Sequence, residues 1–118
     1  MDTNYDAKFE ASCEAGFAII SEAGDAKSKA MEAIKLIQNY RFEEAEATLK
    51  TSKECLRKAH LLQTELIQQE INGDRVDINV LMVHSQDHFA MATVALDLAE
   101  ISMTLYKKLQ KMEGGETQ

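Results

Sequence analysis

The sequence predicts an all-α fold, an antiparallel up-down-up three-helix bundle. Three observations carry that expectation. Proline and tryptophan are absent and only 5 of 118 residues are glycine, while Ala, Glu, Lys, Leu, Gln and Met dominate. Apolar residues recur every three or four positions through three long segments. Two short breaks separate the segments, and short connections between long helices make antiparallel neighbours. The chain reads as one domain, residues 1–118, with frayed tails at 1–6 and 113–118.

The first segment runs from about Phe9 to Gln38. Cys13, Phe17, Ile20, Gly24, Met31 and Ile34 are spaced by three, four or seven, which marks them as its buried face. Gly24, Ala26 and Ser28 are small enough to let a neighbouring backbone approach. Asn39, in Asn39-Tyr40-Arg41, is the candidate for a left-handed helix-ending residue. The second segment runs from about Phe42 to Ile71, with Phe42, Ala45, Leu49, Ser52, Leu56, Ala59, Gln63 and Leu66 stepping by three and four. Asn72-Gly73-Asp74 stops it. Asp77 is the candidate N-cap of the third segment, which continues to about Met112.

The third segment is apolar on more than one side. Val80, His84, Asp87, Met91, Val94, Leu98, Ile101 and Leu105 step 4-3-4-3-4-3-4, an unbroken heptad seam. A second row, Leu81, His88, Ala92, Ala95, Ala99 and Tyr106, runs beside it. The polar stripe, Asn79, Gln86, Thr93, Glu100 and Lys107, is narrow. One apolar face suffices to pack on the other two helices. The second either buries deeply in the same bundle or joins copies of the chain through a helix-three coiled coil. Asp87 lies on the seam. Copies of its carboxylate meeting on an axis would need a cation or protons, and oxygen ligands suit Mg²⁺ or Ca²⁺ better than zinc.

Composition narrows the function. The hydrophobic fraction, 45%, is too high for disorder. The net charge of −7 argues against nucleic acid, which favours a basic stripe. No apolar run is seen to approach the roughly 20 residues that span a bilayer, so no membrane insertion is expected. The N-terminus lacks a basic start and apolar core, and the expected location is cytoplasmic. Cys13 and Cys55 form no metal-type pair, and Cys13 reads as a buried inert thiol. The six methionines read as core filler.

Chemistry concentrates in Val83-His84-Ser85-Gln86-Asp87-His88-Phe89. On a helix His84, Asp87 and His88 share one side, where unused polar groups are costly. Three readings of the histidines compete. Each is a structural histidine bonded to a neighbour. Alternatively the i, i+4 pair shares a metal, although no glutamate follows the first histidine and no third ligand is evident. Or a neutral imidazole accepts a phosphoryl group. With no glycine-rich phosphate loop and no Walker-type lysine, that group would come from a phosphorylated donor rather than ATP. His60 and Gln63 read as a polar pair between helices.

The chain resembles the enzyme IIA component of the lactose/cellobiose (diacetylchitobiose) class of the bacterial phosphoenolpyruvate-dependent sugar phosphotransferase system. Gly16-Phe17-Ala18-Ile19-Ile20 through Ala23-Gly24-Asp25-Ala26-Lys27-Ser28 is similar to that family's first helix, and Ala59-His60-Leu61-Leu62-Gln63-Thr64 to its second. His84-Ser85-Gln86-Asp87-His88 resembles its active-site motif, usually His-Ala-Gln-Asp-His or His-Gly-Gln-Asp-His. The resemblance covers roughly residues 14 to 108. Ser85 departs from the usual small residue, and Tyr40-Arg41 stands where relatives often have Gly-Asp. The resemblance implies a homotrimer, with His84 as the phosphoryl acceptor and Gln86 and His88 supporting it. Asp87 would hold Mg²⁺ on the trimer axis. The donor would be the phosphohistidine carrier protein and the acceptor a cysteine of enzyme IIB, during uptake of a β-linked disaccharide of the lactose, cellobiose or diacetylchitobiose class. The rival expectation is a non-catalytic helical interaction or regulatory module with structural histidines.

Overall fold

The structure, a computed structural model, describes residues 3–116. It contains α1 (Thr3–Gln38), α2 (Phe42–Ile71) and α3 (Val80–Glu116), and no strand among the described residues. The bundle is long and thin, 76 × 22 × 19 Å. The expected up-down-up order is present. Helix extends into both expected tails, over residues 3–6 and 113–116; residues 1, 2, 117 and 118 lie outside the described residues.

α1 is the middle of the bundle and packs along both other helices, whereas α2 and α3 meet sparingly. The reason is the size of its buried residues. Ser12, Gly16, Ile19, Ala23, Ala26, Ala30, Ala33 and Ile37 step 4-3-4-3-4-3-4 and are all buried. Alanine at the contact lets helix axes approach toward the short end of the usual 8–10 Å. This corrects the expected buried face of α1: Phe17 is 62% exposed, Met31 is exposed, and Cys13, Ile20, Gly24 and Ile34 are only half-buried. Close backbone approach also occurs elsewhere than expected. A Cβ at Gly16 would lie 3.3 Å from the Leu81 carbonyl oxygen, while one at Gly24 would meet nothing within 4 Å.

The stripe expected on α2 faces the core, with Ala45, Leu49, Ser52 and Ala59 fully covered. Ser52 Oγ donates to the Ala26 carbonyl at 2.6 Å, which satisfies a buried hydroxyl between α1 and α2. On α3 the buried line is Met82, Ser85, Ala92, Ala95, Leu96, Ala99 and Met103, which takes in much of the expected second row. The heptad seam faces out. Val94, Leu98, Ile101 and Leu105 each leave more than half of their surface exposed. The core-filling role expected of methionine holds for Met82 and Met103; Met31, Met91 and Met112 are exposed. By length and mean hydropathy α3 is long and apolar enough to cross a membrane, contrary to the expectation from its sequence.

Both junctions differ in detail from expectation. The left-handed residue between α1 and α2 is Tyr40, with φ 60°, rather than Asn39. Its ring compensates by edge contacts with Phe42 and Tyr106, both at 5.9 Å. The N-cap of α3 is Asn79, not Asp77. Asn79 Oδ1 accepts from the Met82 amide at 2.9 Å, and Asn79 Nδ2 donates to Asp77 Oδ2 at 2.9 Å and to Ser12 Oγ at 3.0 Å. Ser12 Oγ in turn donates to the Asp77 carbonyl at 2.6 Å. This cluster fixes the start of α3 on α1, one turn before the histidine motif. Asn79→Ala removes the cap and the Ser12 link together. Urea unfolding should show a loss of about 1–2 kcal/mol, and an unchanged midpoint would contradict the role given to this cluster.

Candidate functional site

The motif occupies the second and third turns of α3. Gly16 brings the α1 backbone hard against Leu81 immediately upstream, so this end of α3 has a fixed position. His84 is exposed and His88 half-buried. Their i, i+4 spacing places the rings on one side, with centroids 4.4 Å apart and planes at 89°. Their Nε2 atoms are 3.0 Å apart, so one ring donates and the other accepts. If His88 donates, the His84 proton sits on Nδ1 and its Nε2 carries the lone pair.

Ser85 and Gln86 turn the other way. The buried Ser85 Oγ donates to the Met82 carbonyl at 2.6 Å. Gln86 Nε2 donates to Ser85 Oγ at 3.2 Å and lies 3.6 Å from Met82 Sδ. Gln86 therefore does not join the imidazole pair within one protomer. Two residues is 200° of helical rotation, which separates the faces. Asp87 stands exposed on the seam beside His84, with no hydrogen bond or ion pair among the described residues. Also among these, no three His, Cys, Asp or Glu side chains converge as metal ligands.

His60 stands apart from the pair. It is exposed and stacks on Phe89 with centroids 6.1 Å apart, rather than forming a buried pair with Gln63. Gln63 Oε1 is buried without a hydrogen-bond partner among the described residues. Cys55 is not an alternative nucleophile. Burial pushes its thiol pKa up, and the carboxylates of Glu22 and Asp25 add to that, so it stays protonated near neutrality. An exposed imidazole within hydrogen-bond distance of a second imidazole is suited to accept and release an electrophilic group.

The profile of the family described as "PTS system, Lactose/Cellobiose specific IIA subunit" matches residues 14–107. The chain belongs to that family. It is a component of a sugar phosphotransferase system of the lactose/cellobiose type. Among its relatives, the lichenan-specific phosphotransferase enzyme IIA component of Bacillus subtilis is 42% identical over 98 residues, which cover 83% of this chain and 89% of that protein. The lactose-specific enzyme IIA component of Staphylococcus epidermidis is 38% identical over 93 residues, covering 79% of this chain and 89% of the relative. The crystal structure of the cellobiose-specific enzyme IIA from Bacillus anthracis superposes with a TM-score of 0.80 at 39% identity, covering 83% of this chain and 90% of that one. The matched residues include the imidazole pair. Ser85, where the motif usually has alanine or glycine, serves packing. Ser85→Ala should change stability by less than about 1 kcal/mol in urea unfolding, and should leave the far-ultraviolet circular dichroism unchanged.

Proposed function

We propose that the chain is the phosphoryl carrier of its phosphotransferase system and that His84 is the acceptor. One observation carries the reading: His84 is the exposed histidine of the motif, and among the described residues its Nε2 has the Nε2 of His88 as hydrogen-bond partner, 3.0 Å away. The lone pair of His84 Nε2 attacks phosphorus on the phosphohistidine of the carrier protein. A P–N bond to His84 forms as the donor's P–N bond breaks. The donor ring leaves with the electron pair and takes up a proton, while His84 gives up the proton on Nδ1. A cysteine thiolate of enzyme IIB then attacks; a P–S bond forms, the pair returns to His84, and the ring regains its proton. His88 holds the His84 tautomer before transfer and turns its N–H to a phosphoryl oxygen afterwards. The catalysis is chiefly positioning and charge stabilisation. The sugar, a β-linked disaccharide of the lactose, cellobiose or diacetylchitobiose class, never contacts this chain. The free thiols of Cys13 and Cys55 accord with a cytoplasmic location.

Incubation with the phosphorylated carrier protein tests this directly. Acid-labile phosphate should appear on the chain, vanish in His84→Ala, and accumulate more slowly, by roughly tenfold to a hundredfold, in His88→Ala. Undiminished uptake by His84→Ala would end the reading.

The same proposal includes a homotrimer built on the α3 seam. What supports it is the exposure of that row: Val80, Met91, Val94, Leu98, Ile101 and Leu105 are apolar, uncovered and spaced as a heptad. The metal fits the donor set in one respect. The seam of each protomer offers one carboxylate, Asp87, without a partner among the described residues; it is a hard oxygen donor suited to Mg²⁺, and three copies would be needed to hold the ion. Bound there, Mg²⁺ would offset the repulsion of three carboxylates. Sedimentation should give three 13.2 kDa chains per particle, and Asp87→Leu should lose the bound metal by elemental analysis yet remain trimeric. A monomer at micromolar concentration would rule this assembly out.

A further inference from the structure

Beside the histidine pair lies an open groove of about 490 Å³ that the mechanism above does not use. Gly24, Lys27 and Ser28 of α1 line it, together with His88 of α3. α1 and α3 run in the same direction, with Gly16 against Leu81, so Gly24 comes level with His88 and Lys27 lies one turn beyond. Helical side chains lean toward the N-terminus of their helix. Lys27 and His88 border one groove, and Lys27 also borders the surface of Met91 and Val94 further along α3. The space over Gly24 is free, since a Cβ there would meet no atom within 4 Å.

Charge gives this arrangement a meaning. A phosphoryl group brings up to about two negative charges onto a chain of net charge −7, beside the carboxylate of Asp87. His88 contributes an N–H. Lys27 is a cation without a carboxylate: among the described residues it forms no ion pair, as is true of Lys35 further along the groove, and of the two it is Lys27 that lies within one turn of Gly24. Glu32, the carboxylate in the groove, is held by Lys29 at 3.2 Å.

We propose that Lys27 binds the phosphoryl group carried by His84, its ammonium donating to a phosphoryl oxygen from the groove it shares with His88, with the open volume over Gly24 accommodating that group. This rests on His84 as the phosphoryl acceptor. Lys27 forms and breaks no covalent bond; it lowers the charge cost of the phosphorylated state and of the transfer that makes it.

The test uses the whole chain, phosphorylated chemically with phosphoramidate and followed by phosphorus NMR on the resonance missing from His84→Ala. In Lys27→Gln the phosphoryl group should titrate at higher pH than in the native chain, and Lys27→Arg should restore the native titration. Transfer from the phosphorylated carrier protein should slow by roughly tenfold in Lys27→Gln, the worth of one charge-assisted hydrogen bond. Lys35→Gln, in the same groove two turns further on, should behave as the native chain. An unmoved titration in Lys27→Gln, or an equal shift in Lys35→Gln, overturns the proposal while leaving His84 as acceptor. Absence of a resonance specific to His84 overturns both.

Discussion

The close contact of α1 with both of its neighbours sets the rest of the structure. Ala23, Ala26, Ala30 and Ala33 occupy its buried line with very little side-chain volume, so α2 and α3 each approach α1 closely and the core between them stays thin. A bundle 76 Å long and about 20 Å across has little interior in which to hide large apolar residues. α3 carries two apolar rows, and this core has room for one. The small residues of α3, Ser85, Ala92, Ala95 and Ala99, go inward against the alanines of α1; Val94, Leu98, Ile101 and Leu105 stay outside. The exposed seam is a direct consequence of choosing alanine for the central helix.

The histidine pair sits on the border between these two rows. His84 belongs to the outer one and is accessible. His88 leans toward α1 and is half-buried. A single helical turn thus gives one imidazole freedom to meet a partner and gives the other a fixed surrounding, at the 3.0 Å separation that lets the second orient the first. The anchoring by Asn79, Ser12 and Gly16 matters for the same reason: it determines where the second turn of α3 lies relative to α1, and so which groups of α1 come near the rings.

The sequence conveyed the helices, their order and the motif, and it conveyed the stripe on α2, where buried residues are mixed in size. It misplaced the stripe on α1 by about one position. Periodicity gives weight to large residues such as Phe17 and Met31, whereas a tight helix crossing selects small ones, and an alanine carries little signal of its own. The turn residues failed for a related reason. Asn39 has a stronger local preference than Tyr40 for the left-handed region, yet aromatic contacts hold Tyr40 there; Asp77 and Asn79 are equally good caps, and a tertiary bond to Ser12 commits Asn79. Within the site, His84, Asp87 and His88 were legible as one face because they lie on one helix. The direction of Gln86 was set by burial of Ser85 and Met82. Gly24 and Lys27 reach the site from another helix, and no spacing rule links residues across helices.

The apolar surplus of α3 raises the question of what the row is for. Its length and mean hydropathy alone would suffice for a bilayer. A helix in lipid, however, is apolar around its whole circumference, because a polar group there meets nothing to bond to. α3 is apolar in rows. Asp97, Glu100, Lys107 and Lys108 are exposed between and beyond them, and two of these hold α2 through the Lys53–Glu100 and Lys107–Glu46 pairs, both at 2.9 Å. The exposed seam repeats every 3.5 residues, which keeps it facing a neighbouring helix that supercoils with it. A surface one row wide, apolar along its length except at His84 and Asp87, suits a like helix better than it suits a membrane.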